Sequence, residues 1–508
     1  MYLNNSKQRV SRVLSGLLLA ALVPVLLLAG CRKSGAKQNT VSDPAEAPYH
    51  ITMAFLGAPM DDDAKVYAAI NELTLRELNM TFEAAPLSLG DFVSTLNLML
   101  SGGDNLDILP VYTPLAASYI YAGKIVDLAD YIYDYGKDIL RLVGEDVATS
   151  GSVNGFIFGV PSQKESASLS GIVMRKDIVD ALGIDVSAIH TLDDLTPIFA
   201  KVKANYPDID CLASKNAVSQ WENYDTLSDR FGVLIDNGQS ATVVNWYETA
   251  DYKTKVNRAR EWYKAGYIKL DAATSTDLET NLVMAGSLFA YFSYIKPGYL
   301  EQANAQCGRE MVYAYIGTDD GKTLNNLSSS NVNFFNWGIA QNSKDKVKAM
   351  RFLNFAYSSP EFINLLNWGI EGEHYVFVDD GKKVIDYPPG INAANAKYGR
   401  NLGWHFPNQY IAYIWNGLPT DIWEQYKAFN DSALKSKAFG FLYDPSSVAN
   451  ELAALTGVQA EYAAALETGS VSDTEKTLKE FNDKLYAAGL QKVIDTKQAQ
   501  LDAWWASR

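Results

Sequence analysis

Any chemistry in this chain would have to come from few histidines and many carboxylates. The four histidines are His50, His190, His374 and His405. No two stand three or four residues apart, so a zinc site on one helix face is absent. The sequence also lacks a GxSxG nucleophile elbow, a GxxxxGK(S/T) phosphate loop and a GxGxxG turn. The common zinc, serine-hydrolase and nucleotide chemistries therefore fall away. Asp and Glu total 59, so a carboxylate pair for glycoside hydrolysis always exists, and sequence spacing cannot single one out. The aromatics say more: 30 Tyr, 20 Phe and 10 Trp, with Tyr outnumbering Phe. Tyr and Trp join a flat apolar face to a polar edge, which suits the C–H faces and hydroxyls of a sugar. A large core alone also holds many aromatics.

A length of 508 residues suggests about two to four domains. Hydrophobic residues at 48% and charged residues at 20% describe a chain with a real core rather than a disordered one. The net charge of −15 argues against a nucleic-acid binder and against a protein held to an anionic membrane by its own surface.

The N-terminus carries a sharp local signal. Lys7, Arg9 and Arg12 precede an apolar stretch over 13–28, broken by Ser15, Gly16 and Pro24, and ending Leu28-Ala29-Gly30-Cys31. The stretch is too short and interrupted for a transmembrane helix. It resembles a bacterial lipoprotein signal peptide with its lipobox, which implies cleavage before Cys31 and lipid on that cysteine. Loss of the three leader cations would take the charge from −15 to −18. Residues 32–48 read as a tether. Cys211 and Cys307 remain. They could pair in an exported protein, but two unpaired, partly buried thiols are the expectation.

The spacing predicts strands over 51–56, 81–84, 107–111, 170–174, 287–292 and 311–316. Helices are predicted over 61–80, 91–100, 176–182, 191–202, 253–265, 278–285, 344–357, 360–368, 447–467 and 495–505. Thr191 is the expected cap of its helix, and Ser472-Asp473-Thr474-Glu475 has the form of a capping box. Strands alternating with helices at this spacing point to βαβ units and a parallel sheet.

Several blocks resemble the extracellular solute-binding proteins of ABC importers, in the sugar-binding group. They are Ser101-Gly102-Gly103-Asp104-Asn105-Leu106-Asp107-Ile108, Gly123-Lys124-Ile125-Val126-Asp127-Leu128, and Asn154-Gly155-Phe156-Ile157-Phe158-Gly159-Val160-Pro161 with Met174-Arg175-Lys176-Asp177-Ile178. The stretch 346–362 followed by Asn367-Trp368-Gly369-Ile370-Glu371-Gly372-Glu373-His374-Tyr375 is similar to a Gram-positive lipoprotein branch with a C-terminal domain of unassigned role. The resemblance implies an α/β, two-lobe periplasmic-binding-protein-like fold with a helical C-terminal extension. On that reading 1–30 is the signal peptide and 31–48 the tether. The N-terminal lobe is 49–165, the C-terminal lobe 166–315, the return to the first lobe 316–365, and the extension completing the lobes 366–508. Two or three crossing segments would join the lobes, with ligand in the cleft where strand ends converge.

The candidate ligand residues follow from that placement. Asp61 follows strand one and serves equally well as a helix cap. Tyr112 follows strand three. Lys164 and Glu165 lie in the crossing segment and could equally be a solvated pair. Trp221 and Tyr224 stand in a polar stretch. Tyr291 and Tyr294 fall where the family places an aromatic platform. Trp337 sits in an apolar run, where core burial is the expected role. Trp368, Glu371 and Trp404 fall where the extension meets the cleft. As a set, about half are expected to line the cleft, the rest packing in the core.

The resemblance implies no catalysis, no cofactor and no metal. The expected partners are a small solute (an oligosaccharide), the permease subunits of an ABC transporter, and the membrane through the lipid anchor on the extracellular face. No nucleic acid and a monomeric state are expected. The competing readings are a binder of peptide or another polar solute, a sensory lipoprotein, and a surface glycosidase.

Overall fold

A computed structural model describes residues 47–103, 105–213, 223–317 and 325–507. Cys31, the leader, most of the tether and Trp221 lie outside the described residues.

The first lobe is built on a five-stranded sheet. Its first strand, β1 (Tyr49–Leu56), has six consecutive buried residues from Ile51 to Leu56. Such a run suits a strand covered on both faces. After α1 (Asp63–Leu78), β2 (Met80–Leu87) pairs parallel with β1, from Tyr49 opposite Met80 to Leu56 opposite Leu87. After α2 (Phe92–Ser101), β3 (Ile108–Tyr112) lies parallel on the other side of β1 and leads into α3 (Thr113–Tyr121). The returning strand Phe335–Ile339 runs antiparallel to β3, with Phe335 opposite Tyr112. Val160–Pro161 closes the edge.

One face packs Val66, Ile70 and Leu73 of α1 with Phe352 and Phe362 of the helices Lys346–Ser358 and Pro360–Trp368. The other face packs Phe92, Leu96 and Leu100 of α2 with Ala116 and Tyr119 of α3. The turn from α1 to β2 needs a left-handed residue, and Asn79 supplies it at φ 52°.

The second lobe has a three-stranded sheet with Ser170–Arg175 in the centre, Ala290–Tyr294 on one side and Met311–Tyr315 on the other. Both pairings are antiparallel. The alternation of strands and helices predicted a parallel sheet, and of the two lobe sheets only the first has parallel pairs. Alternation fixes neither which strands pair nor their direction when, as between Arg175 and Ala290, a long excursion intervenes. The helix cap at Thr191 is present, with its N–H donating to Asp194 Oδ2 (2.9 Å). The later capping position is Asp473 rather than Ser472: its carboxylate accepts the Lys476 N–H at 3.0 Å.

The segment after 365 divides its allegiance. Tyr398, Phe406 and Ala412 enter the first lobe's core, and short strands at Val376–Phe377, Val384–Asp386 and Ile414–Trp415 form a small sheet there. The helices Ala449–Glu467, Thr474–Ala487 and Leu490–Ala506 instead pack on Trp246, Tyr247 and Tyr252. Three stretches run between the lobes, roughly 161–170, 325–335 and 430–443. They are stitched together by a Ser168–Asn326 bridge and by Asn326–Leu327 pairing parallel with Leu434–Lys435. Ala167, Leu327 and Val332 form a small core at this junction, with Phe429 and Phe439 packed against it.

Candidate functional site: an interlobe pocket

The register of the two sheets brings aromatic residues to facing edges. On the first lobe, Tyr112 ends β3 opposite Phe335. Its ring centroid is 5.2 Å from Phe334 and 5.5 Å from Phe335. Trp404 adds a ring 6.1 Å from Phe335. On the second lobe, Tyr294 pairs with Ser170 and Tyr315 with Gly171, so both tyrosines end where the first crossing stretch enters the sheet. Gly171 is required there: a Cβ would lie 2.7 Å from the Ala314 carbonyl oxygen and from Ile295 Cγ1. Phe334 and Tyr294 are 45% and 41% exposed. Large aromatics left that open at facing edges are available to a ligand.

Between these edges lies a pocket of about 280 Å³, whose lining includes Lys164, Glu165, Tyr294, Lys296, Asn331 and Phe334. Lys296 Nζ stands 2.6 Å from Glu165 Oε1. Glu165 is 12% exposed at its side chain, and its Oε2 has no hydrogen-bond partner among the described residues. Lys164 Nζ donates to the Glu165 carbonyl oxygen at 2.7 Å. Burial lowers the Lys164 pKa, against the opposing pull of the Glu165 carboxylate. The pocket thus offers open aromatic rings, the Glu165–Lys296 pair and the Asn331 amide. It can hold a polyhydroxylated solute.

Of the residues singled out from sequence, Tyr294, Lys164 and Glu165 meet in this pocket, with Tyr112 and Trp404 in the aromatic cluster that backs Phe334. Asp61 is exposed in the turn before α1. The cap position there is Asp62, whose carboxylate turns instead to His374 Nε2 at 3.1 Å. Tyr224 is 2% exposed, with its ring 4.6 Å from Trp246, so core packing takes it away from the cleft. Tyr291 is buried, its hydroxyl 3.7 Å from Cys307 Sγ. Trp337 is fully buried and donates its indole N–H to the His405 carbonyl oxygen at 2.9 Å. Trp368 is buried beside Trp415, at a separate small cavity of about 100 Å³. Glu371 is exposed and pairs with Lys382 at 3.4 Å. Cys211 and Cys307 are both free and buried.

Sequence reading missed Phe334, Lys296 and Asn331. Phe334 stands before the start of an antiparallel strand, so a search of strand C-termini passes over it.

The exit of β1, where a ligand contact was expected, is filled by the segment after 365. Arg400 Nη1 donates to the Ala58 carbonyl oxygen at 2.9 Å, its guanidinium lies 5.0 Å from the Phe55 ring centroid, and it pairs with Asp63. A Cβ at Gly57 would sit 2.8 Å from Arg400 Nη1. Nearby, His405 Nε2 accepts the Leu56 N–H at 2.9 Å, and burial pulls the His405 pKa down to about 3. The ring is therefore neutral, with its proton on Nδ1.

Among the described residues one cluster has the composition of a metal site: Asp62, Glu373 and His374. Its donors are already engaged. His374 Nδ1 accepts the Ile370 N–H at 2.9 Å, so Nε2 carries the proton that goes to Asp62, and Glu373 pairs with Lys65. The hydrogen bond from His374 holds the Asp62 carboxyl below its usual range. The set serves as a polar lock on the α1 turn.

Known proteins resemble this chain in sequence and fold. A carbohydrate ABC transporter substrate-binding protein of Streptococcus pneumoniae is 26% identical over 484 residues, covering 94% of each chain. The crystal structure of an N-glycan transport solute-binding protein from the same species matches at a TM-score of 0.78 with 24% identity, covering 90% of this chain and 98% of that one. An HMO binding, ABC-transporter-associated solute-binding protein from Bifidobacterium longum infantis matches at a TM-score of 0.63 with 16% identity, covering 90% of this chain and 99% of that one. A domain of unknown function (DUF3502) spans residues 437–506. The profile of the bacterial extracellular solute-binding proteins spans residues 65–369, more than half of the chain, and the chain belongs to that family.

Proposed function

We propose that the protein captures an extracellular oligosaccharide between its lobes and delivers it to the permease of an ABC transporter. The observation that carries this is a single pocket lined by Phe334 from one sheet edge and Tyr294 from the other, with Glu165, Lys296 and Asn331 between them. Rings from opposite lobes can stack on a sugar's C–H faces, while the polar groups take its hydroxyls. The relatives named for carbohydrate and N-glycan transport support the same solute class.

The protein performs no reaction on its solute. A glycosidase needs two carboxyl groups about 5–5.5 Å or 6.5–9.5 Å apart across the bond. Glu165 is the one carboxylate among the described residues lining this pocket, and Lys296 neutralises it. The Leu28-Ala29-Gly30-Cys31 motif supports a lipid anchor at Cys31, holding a monomer at the outer face of the membrane.

The test is thermal unfolding of the chain from Arg32 onward against a panel of mono- and oligosaccharides, peptides and polyamines. A solute at 100 times its dissociation constant adds about 2.7 kcal/mol of stability. A raised Tm with one sugar class, the sugar being recovered intact, is the expected result. Shifts with peptides alone would overturn the carbohydrate reading, and consumption of the sugar would overturn the non-catalytic one.

A further inference from the structure

Both crossing stretches that line the pocket are held by a third that does not line it. The first stretch, carrying Lys164, Glu165 and Ser168, is gripped by one side chain. Asn430 Oδ1 accepts the N–H groups of Ser166 (2.8 Å) and Ala167 (3.0 Å). Its Nδ2 donates to the Lys164 carbonyl oxygen (2.8 Å) and to the Tyr410 hydroxyl (3.0 Å), and that hydroxyl donates to the same carbonyl at 2.7 Å. A primary amide has two donors and two acceptor sites, so Asn430 is used to capacity.

The second stretch, carrying Ser330 and Asn331, is held a few residues further along. Leu434 N–H donates to the Asn325 carbonyl oxygen (2.9 Å) and Ser436 N–H to that of Leu327 (3.0 Å). Ser329 Oγ donates to the Ala438 carbonyl oxygen (3.1 Å) and accepts the Gly440 N–H (2.7 Å). Asn331 in turn donates to Ser168 Oγ at 3.3 Å, tying the two stretches to each other.

We propose that residues 430–440 are a positioning strut for the solute pocket, with Asn430 as its principal positioning residue. The strut begins beyond the part of the chain matched by the solute-binding profile and runs into the domain of unknown function. It gives the start of that domain a role: it sets the spacing between the segment bearing Glu165 and the segment bearing Asn331. Hydrogen bonds joining Asn430 to the first stretch, and Leu434, Ser436, Ala438 and Gly440 to the second, leave those two segments a single relative position. The role rests on the reading of the 280 Å³ pocket as the solute site.

The experiment compares wild type with Asn430→Ala and Asn430→Asp, and with Asn482→Ala as a control. Asn482 makes its bonds to Asn245, Tyr247 and Leu478, away from the strut. Affinity for the sugar found above is read by calorimetry, and backbone hydrogen exchange over 163–168 and 325–331 is read without ligand. Asn430→Ala is expected to bind at least tenfold more weakly and to exchange faster in both stretches. Asn430→Asp, which keeps the two acceptor bonds, is expected to recover part of the affinity. Asn482→Ala should lower Tm and leave affinity within twofold. Unchanged affinity in Asn430→Ala, with wild type binding, would overturn the strut. If wild type binds no sugar, the carbohydrate reading fails, and the exchange data still decide the strut: unchanged protection over 325–331 in Asn430→Ala would sink it.

Discussion

Lys296 Nζ lies 2.6 Å from Glu165 Oε1, joining a residue just past the end of a second-lobe strand to one on the first crossing stretch. The pair holds the carboxylate in place at the pocket wall, its other oxygen buried without a hydrogen-bond partner among the described residues. Removing the lysine strands a mostly buried carboxylate. Lys296→Met should therefore destabilise the protein by about 2 kcal/mol, less than a fully buried pair because the lysine is partly exposed. The double variant Lys296→Met/Glu165→Gln should recover part of that loss. Urea unfolding of the three proteins checks it, and a double variant no more stable than the single one would contradict it.

Arg400 is the cation on which the β1 exit is built. It is buried against Phe55, Tyr67 and Tyr398 and paired with Asp63. Arg400→Met keeps much of the volume and leaves Asp63 unpaired. A loss of about 3–5 kcal/mol is expected, the usual cost of breaking a buried pair on one side. The urea midpoint measures it.

His405 links stability to pH. Its folded pKa of about 3 lies below the ordinary value of 6.5. The unfolded state therefore binds the proton first as pH falls. This contribution is fully present above pH 6.5 and is lost progressively as pH drops towards 3. Between pH 6.5 and 5, where most carboxylates stay ionised, it should lower the unfolding free energy by about 1.5 kcal/mol. Unfolding curves of wild type and His405→Gln across that window should differ in slope by this amount, and parallel slopes would refute it.

The exposed rings should matter to the solute and not to the fold. Phe334→Ala and Tyr294→Ala should each weaken sugar binding about tenfold, the scale of one aromatic contact, with Tm nearly unchanged. Tyr224→Ala, in the core against Trp246, should cost about 3–5 kcal/mol of stability instead. Calorimetry and thermal unfolding on the three variants separate the two classes.

Much of this architecture was legible one residue at a time. The apolar run of 51–56, the Pro360–Trp368 helix and the Thr191 cap each follow from local rules, because periodicity and capping act over a few residues. Strand ends pointed to Tyr112 and Tyr294, and the link between them to Lys164 and Glu165. Residue type could not separate Tyr294 from Tyr291, three positions apart. One stands open at a strand end and the other is closed in by Cys307 and its neighbours. Nor could it show that the second sheet is antiparallel, that Arg400 fills the first strand's exit, or that Phe334, Lys296, Asn331 and Asn430 converge. These residues are separated by up to 134 positions between Lys296 and Asn430, and no local period spans such a gap. Local sequence determined which stretches are helix or strand and which carry polar and aromatic groups. Only the pairing of the three crossing stretches decided which of those groups share one pocket, because that pairing depends on hydrogen bonds between segments far apart in sequence, which no local rule specifies.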